Sequence, residues 1–171
     1  MAPLQHLYEP GMTYLLTSNL QPRIPLFSDP RFAQIAHDDI AFYAAKFEAV
    51  SLAHVIMHEH IHWVLYPSPD DFGRFAEKEQ GKQGKYARDP ARYYLSKIME
   101  DYKRHTSYAI NKLRGTRGRQ VWQDGFRDDG LRTKEAVHAA VEYVVMNPVK
   151  AEIVARYQDY PYLAWNGEWL I

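Results

Sequence analysis

The chain has 171 residues, 46% hydrophobic and 25% charged, a balance that suits one globular domain and excludes wholesale disorder, a collagen-like repeat or a coiled-coil rod. It contains no cysteine, so disulfides, thiolate zinc sites and thiol catalysis are excluded, and its 21 basic residues cancel its 21 acidic ones. No run approaches the roughly 18 apolar residues of a membrane span, and the start, Met1 to His6, lacks the basic stretch and apolar run of a signal peptide. A cytoplasmic protein is expected.

In chain order, Met12–Ser18 is rich in β-formers and reads as a first strand. Asp29-Pro30 offers an N-cap followed by proline at the first helical position. Behind it Phe32, Ile35, Ala36, Ile40, Tyr43, Ala44 and Phe47 recur at helical spacing, which predicts an amphipathic helix to about Glu48. Ala49–Met57 and Ile61–Tyr66 are β-branched and aromatic runs, expected to pair as a hairpin turning near His58-Glu59. Pro67–Arg88 is charged and contains glycine, and reads as an exposed insertion.

Asp89-Pro90 repeats the cap-plus-proline signal, and the stripe Leu95, Ile98, Met99, Tyr102, Ala109, Ile110 and Leu113 predicts a long helix that stops at Gly115. Val121–Leu131 carries a short strand and turn. Thr133 caps a further helix expected to stop at Asn147, because Pro148 disfavours helix at the residue before it. From about Val149 a C-terminal extension rich in aromatics is expected to pack across the domain. The order β-α-β-β-α-β-α predicts a single α+β domain, helices laid on an antiparallel sheet.

Charge is unevenly spread. From Tyr102 to Gln123 there is no acid, yet the stretch holds Lys103, Arg104, Lys112, Arg114, Arg117 and Arg119. That is the pattern either of a phosphate-contacting surface or of a solvated helix face.

His58-Glu59-His60-Ile61-His62 is the densest chemical signal. As His58-Glu59-x-x-His62 it matches the zinc-peptidase pattern, which requires a helix with the histidines one turn apart and the glutamate activating water. As His60-x-His62 on a strand, both imidazoles point to one face, about 7 Å apart at the backbone, and can converge on one metal ion. The flanks Val55-Ile56-Met57 and Ile61–Tyr66 favour the strand. Histidines exposed on a hairpin without any ligand remain the plain alternative. Tyr143 and Asn147, four residues apart, share one helix face. In an amphipathic helix a tyrosine is usually core or rim, but an amide oxygen beside two imidazoles leaves a divalent cation open positions for phosphate oxygens, and tyrosine can serve as a covalent nucleophile.

Together these blocks resemble the REP-associated tyrosine transposases, single-tyrosine members of the HUH transposase superfamily. Met57-His58-Glu59-His60-Ile61-His62 is similar to that family's Met-Pro-Asn-His-Val-His hairpin. Trp122-Gln123, Phe126, Asp128-Asp129 and Arg132 follow its Trp-Gln-x-x-Phe/Tyr-x-Asp-His-x-x-Arg segment, and Tyr143 through Asn147-Pro148-Val149-Lys150-Ala151 follows its helix end. The first strand and the segment from Leu95 to Arg104 also resemble the family, and the blocks keep its order over nearly the whole chain. Two departures stand out: His58 replaces the turn proline, and Asp129 replaces the histidine after Asp128.

The resemblance implies a ferredoxin-like HUH endonuclease core and a metal-dependent transposase that nicks and rejoins single-stranded DNA near hairpins. Tyr143 is then the nucleophile, forming a 5′-phosphotyrosine link, and His60, His62 and Asn147 bind Mg²⁺ or Mn²⁺. Lys103, Arg104, Lys112, Arg114, Arg117 and Arg119 are the candidate DNA contacts, with Trp63 or Trp122 available to stack on bases. The roles of His58 and Glu59 stay open. Single-stranded or hairpin DNA is the expected partner, with no membrane, and the protein is expected to be a nucleoid-associated monomer or homodimer. A hairpin-binding protein without cleavage, and a zinc peptidase through His58, Glu59 and His62, are the alternatives.

Overall fold

A computed structural model describes residues 7–21 and 24–167. Five strands form one antiparallel sheet: β1 (Thr13–Asn19), β2 (Val50–Ile56), β3 (His60–Tyr66), β4 (Arg127–Leu131) and β5 (Leu163–Trp165), in the spatial order β4-β1-β3-β2-β5. The helices are α1 (Pro30–Lys46), α2 (Pro69–Glu79), α3 (Lys85–Arg88), α4 (Pro90–Leu113) and α5 (Lys134–Lys150). Because β1 and β2 both run antiparallel to β3, they are parallel to each other, and α1 crosses over between them. β3 and β4, both antiparallel to β1, are likewise parallel and joined across α4. This doubled split β-α-β unit is the ferredoxin-like arrangement.

Strand alternation sorts the sheet into two faces. Tyr14 and Leu16 of β1 and Ile61, Trp63 and Leu65 of β3 meet α1 and α4, where Ala36, Ile40, Leu95, Ile98 and Tyr102 are buried. On the opposite face Val55 and Val64 meet the stripe Val137, Val141, Val144 and Val145 of α5. The predicted caps form: the side chain of Asp29 accepts from Arg31 N, that of Asp89 from Arg92 N and that of Thr133 from Ala136 N. Gly115, at φ 67°, ends α4 as expected, with Thr116 N donating to Asn111 O at 2.9 Å and Gly115 N to Lys112 O at 3.2 Å. That pair of bonds needs a left-handed residue, which glycine adopts without penalty.

One expectation changes and two gain detail. The 67–88 segment, expected as an exposed insertion, is largely exposed but helical: Ser68 and Asp71 form a reciprocal capping box that starts α2, and Phe75 is buried against the core. α5 does not stop at Asn147 but runs through Pro148 to Lys150. Proline removes only one donor there, and its own carbonyl is taken at 3.0 Å by Ile153 N beyond the left-handed Glu152. The extension after it returns to the sheet as β5, paired with β2, and Tyr160 Oη donates to Ile56 O at 2.6 Å. Positions 168–171 of that extension lie outside the described residues. Among the described residues, no helix is long and apolar enough to cross a membrane.

Candidate functional site

Alternation along β3 puts Ile61, Trp63 and Leu65 into the α1/α4 core and leaves His60, His62 and Val64 on the α5 face. The two imidazole rings lie 4.8 Å apart, centroid to centroid. The valine stripe of α5 seats that helix over β2 and β3, which turns Tyr143, 39% exposed, toward β1 on the helix flank. Its hydroxyl lies 3.2 Å from His62 Nε2, and Lys150 Nζ sits 5.7 Å from the centre of its ring. Asn147, half-buried, follows one turn later on the same face.

His62 is only 6% exposed and is held from both sides. Its Nδ1 lies 2.9 Å from Thr17 Oγ1, its cross-strand partner on β1. Burial, with the neighbouring His60 adding to it, pushes its pKa down to about 3, so the ring is neutral and has one lone pair to give. Among the described residues, the β1–β4 half of this face is only partly covered, Leu15 and Leu131 packing against the α5 cluster. There a cavity of about 320 Å³ is lined by Leu15, Thr17, His62, Arg127, Asp129 and Tyr143.

The helical zinc-peptidase pattern is overturned. His58 and Glu59 occupy the β2–β3 turn, where their carbonyls accept from Phe27 N at 3.1 Å and Leu20 N at 2.8 Å, and His62 lies in a strand. Among the described residues no three His, Asp or Glu side chains cluster as a metal site. His60 and His62 share one face of β3, and an imidazole pair and an amide oxygen such as that of Asn147 are donor types a divalent ion accepts. In the tautomer with the proton on Nδ1, Nε2 of His62 carries a single lone pair, for which the phenolic hydrogen and a cation would compete.

The basic stretch separates by environment. Lys103 donates from Nζ to the carbonyls of Gln123 and Gly125, both at 2.6 Å, and burial lowers its pKa to about 8. It braces the 115–125 loop rather than facing solvent. Arg104 reaches Asp101 at 2.6 Å. Lys112, Arg117 and Arg119 are exposed and Arg114 half-exposed. A groove of about 520 Å³ runs between α4 and the loop, with Arg104, Tyr108, Arg119 and Gln123 among its walls. Neither tryptophan offers a ring for stacking: Trp63 is fully buried with Nε1 donating to Ser51 Oγ, and Trp122 is buried with Nε1 donating to Thr106 Oγ1. The exposed aromatic there is Tyr108, at 65%. Thr17 and Arg127 were not singled out in the sequence; only strand register brings them to His62 and Tyr143.

Chain order, sheet order and the two-layer helix placement define a ferredoxin-like α+β protein carrying a histidine pair and a helix tyrosine on its open face. Among solved structures, the chain is similar to a REP-associated tyrosine transposase bound to a REP hairpin, with a TM-score of 0.67 and 21% identity, over 95% of this chain and 82% of that one. At that identity the likeness is one of fold. No family model and no curated protein matches the chain.

Proposed function

We propose that the protein is a metal-dependent, tyrosine-nucleophile transposase that nicks and rejoins single-stranded DNA beside hairpins. The observation that carries this reading is the Tyr143 hydroxyl 3.2 Å from His62 Nε2, at the rim of an open cavity on the fold shared with the hairpin-bound transposase. Tyr143 Oη attacks the scissile phosphorus; the Oη–P bond forms and the P–O3′ bond breaks. The phenol loses its proton and the departing 3′ oxygen takes one up, leaving a 5′-phosphotyrosine link and a free 3′-hydroxyl. Rejoining reverses the step, with an incoming 3′-hydroxyl displacing the phenol. The link keeps the phosphodiester energy, so no nucleotide cofactor is required.

His60, His62 and Asn147 are the residues that hold Mg²⁺ or Mn²⁺, and the bound ion supplies Lewis-acid polarisation of phosphate oxygens. The chain's own work is positional. α5 fixes Tyr143 and Asn147 one turn apart, β3 fixes both imidazoles on one face, and Thr17 orients the His62 ring. The α4–loop groove, with Arg119 on its wall and Lys112 and Arg117 exposed on the same basic stretch, takes the DNA backbone.

The test is incubation with hairpin oligonucleotides taken from palindromes beside the encoding gene, in Mn²⁺, followed by denaturing electrophoresis. A denaturation-resistant adduct is expected, lost in Tyr143→Phe while hairpin binding persists. An undiminished adduct in that variant removes Tyr143 from the role. Salt-sensitive binding without any adduct identifies a hairpin-binding protein that does not cleave.

A further inference from the structure

The cavity at Tyr143 contains one permanent cation and one anion among its lining residues, Arg127 and Asp129. They sit two apart on β4, hence on the same face, and pair across to Thr17 and Leu15 of β1. Arg127 donates to Asp129 from Nη2 at 3.0 Å and from Nε at 3.2 Å, and both bonds fall on a single oxygen, Oδ1. That is not the two-oxygen fork that makes arginine–carboxylate pairs strong. The side chains are 70% and 41% exposed, so water screens the pair as well.

We propose that Arg127 and Asp129 form an exchangeable phosphate subsite beside Tyr143, in which a backbone phosphate of single-stranded DNA takes Arg127 from Asp129. This rests on the transposase reading above. A phosphodiester offers two oxygens in the geometry a guanidinium matches, and its charge is fixed across the working pH range. Lys103 anchors the carbonyl of Gly125, a wall of the basic groove, only two residues before Arg127. Arg127 thus follows the groove wall closely in the chain and shares the cavity lining with Tyr143. Asp129 sets a threshold. A free anion must displace the carboxylate at its bulk concentration, whereas a strand already seated in the groove delivers its phosphate at a high effective concentration. The subsite thus favours a polymer over a small anion and holds the phosphorus next to the nucleophile.

The test uses the full chain carrying Tyr143→Phe, so that binding is read without cleavage, and a palindrome-derived hairpin oligonucleotide with a single-stranded flank. Affinity is measured across a salt series. Arg127→Gln is expected to weaken binding about tenfold and to lower the slope of log K against log salt by about 0.7, one single-strand phosphate contact. Asp129→Asn is expected to tighten binding several-fold, and the gain is expected to shrink in the Arg127→Gln background, as a double-mutant cycle reports for coupled groups. Arg119→Gln serves as the control for the groove. If Arg119→Gln weakens binding while Arg127→Gln leaves affinity and slope unchanged, the subsite is wrong and the functional reading stands. Weaker binding in Asp129→Asn also overturns the proposal, because the carboxylate then supports Arg127 instead of competing for it. If the parent protein binds no hairpin at all, the functional reading fails first and the subsite with it.

Discussion

Thr17→Val is the sharpest probe of the His62–Tyr143 contact, because valine keeps the shape of threonine and removes only the hydroxyl. Thr17 Oγ1 is 2.9 Å from His62 Nδ1, inside a site where the imidazole is nearly closed to water. Leaving that nitrogen unpartnered costs about 1 to 3 kcal/mol. The neutral ring can lower that cost by moving its proton. Starting from the tautomer in which Nδ1 donates to Thr17, a bare Nδ1 is cheaper than an unsatisfied N–H, so the hydrogen shifts to Nε2 and the lone pair facing Tyr143 is lost. A tautomer bias of about 1 to 2 kcal/mol corresponds to roughly a 5- to 30-fold slower single-turnover formation of the covalent adduct. Imidazole ¹⁵N shifts should report the tautomer directly. Thr17→Ser, which restores the hydroxyl, should recover both rate and spectrum, a rescue that lost packing alone does not predict. A valine variant with wild-type adduct rate and an unchanged His62 tautomer would refute the reasoning.

Two further outcomes follow from buried bases elsewhere. His54 is buried, its Nε2 has no hydrogen-bond partner among the described residues, and burial, with His37 beside it, pushes its pKa from 6.5 down to about 3. The unfolded chain binds that proton below about pH 6.5 and the folded chain does not, so stability is lost as pH falls from 6.5 toward 3. Between pH 7 and 4.5 the residue alone removes about 2 to 3 kcal/mol. Urea unfolding of His54→Phe should show a correspondingly flatter acid limb, and equal pH slopes in variant and wild type would remove His54 as the cause. Lys103→Met deprives the carbonyls of Gln123 and Gly125 of their donor and should cost about 1 to 2 kcal/mol of stability while leaving the salt slope of DNA binding intact. A slope reduced as much as in Arg119→Gln would place Lys103 on the phosphates after all.

What could be read from the sequence was local. Asp29-Pro30, Asp89-Pro90 and Thr133 mark helix starts because a cap and its first turn are adjacent in the chain. His60, His62, Tyr143 and Asn147 declare themselves by spacings of two and four within one element. The Ser68-Pro69-x-Asp71 box was equally local but was masked by the charge of the segment around it. β5 was hidden for another reason: Leu163–Trp165 has too few residues to alternate, and its pairing is set by the open edge of β2. Register is the larger gap. Tyr143 and His62 are 81 residues apart, and whether Thr17 or Leu16 faces His62 depends on a one-residue choice of strand pairing. Arg127 was invisible as a site residue for the same reason, and Asp129 stood out only as a departure from the family pattern. Trp122 and Lys103 mark another limit, since an aromatic and a cation look the same in sequence whether they face DNA or brace a loop.

The cavity side of the sheet is written into the binary pattern. Under α5, apolar strand residues such as Val55 and Val64 match the valines above them, and His60 and His62 interrupt that face at the start of β3. On the neighbouring half Leu15 and Leu131 still pack against the α5 cluster, while Thr17, Arg127 and Asp129 line the cavity beside Tyr143. A charged strand at a sheet edge also has a structural use, since it deters edge-to-edge pairing with another copy. That use requires only that Arg127 and Asp129 be charged and exposed. It gives no reason for both to face His62 and Tyr143, and it predicts no change in the salt dependence of DNA binding when Arg127 is replaced. The salt slope therefore separates an edge kept clean of other sheets from an edge built to hold a phosphate, and solubility of Arg127→Gln and Asp129→Asn reports the first role independently of the second.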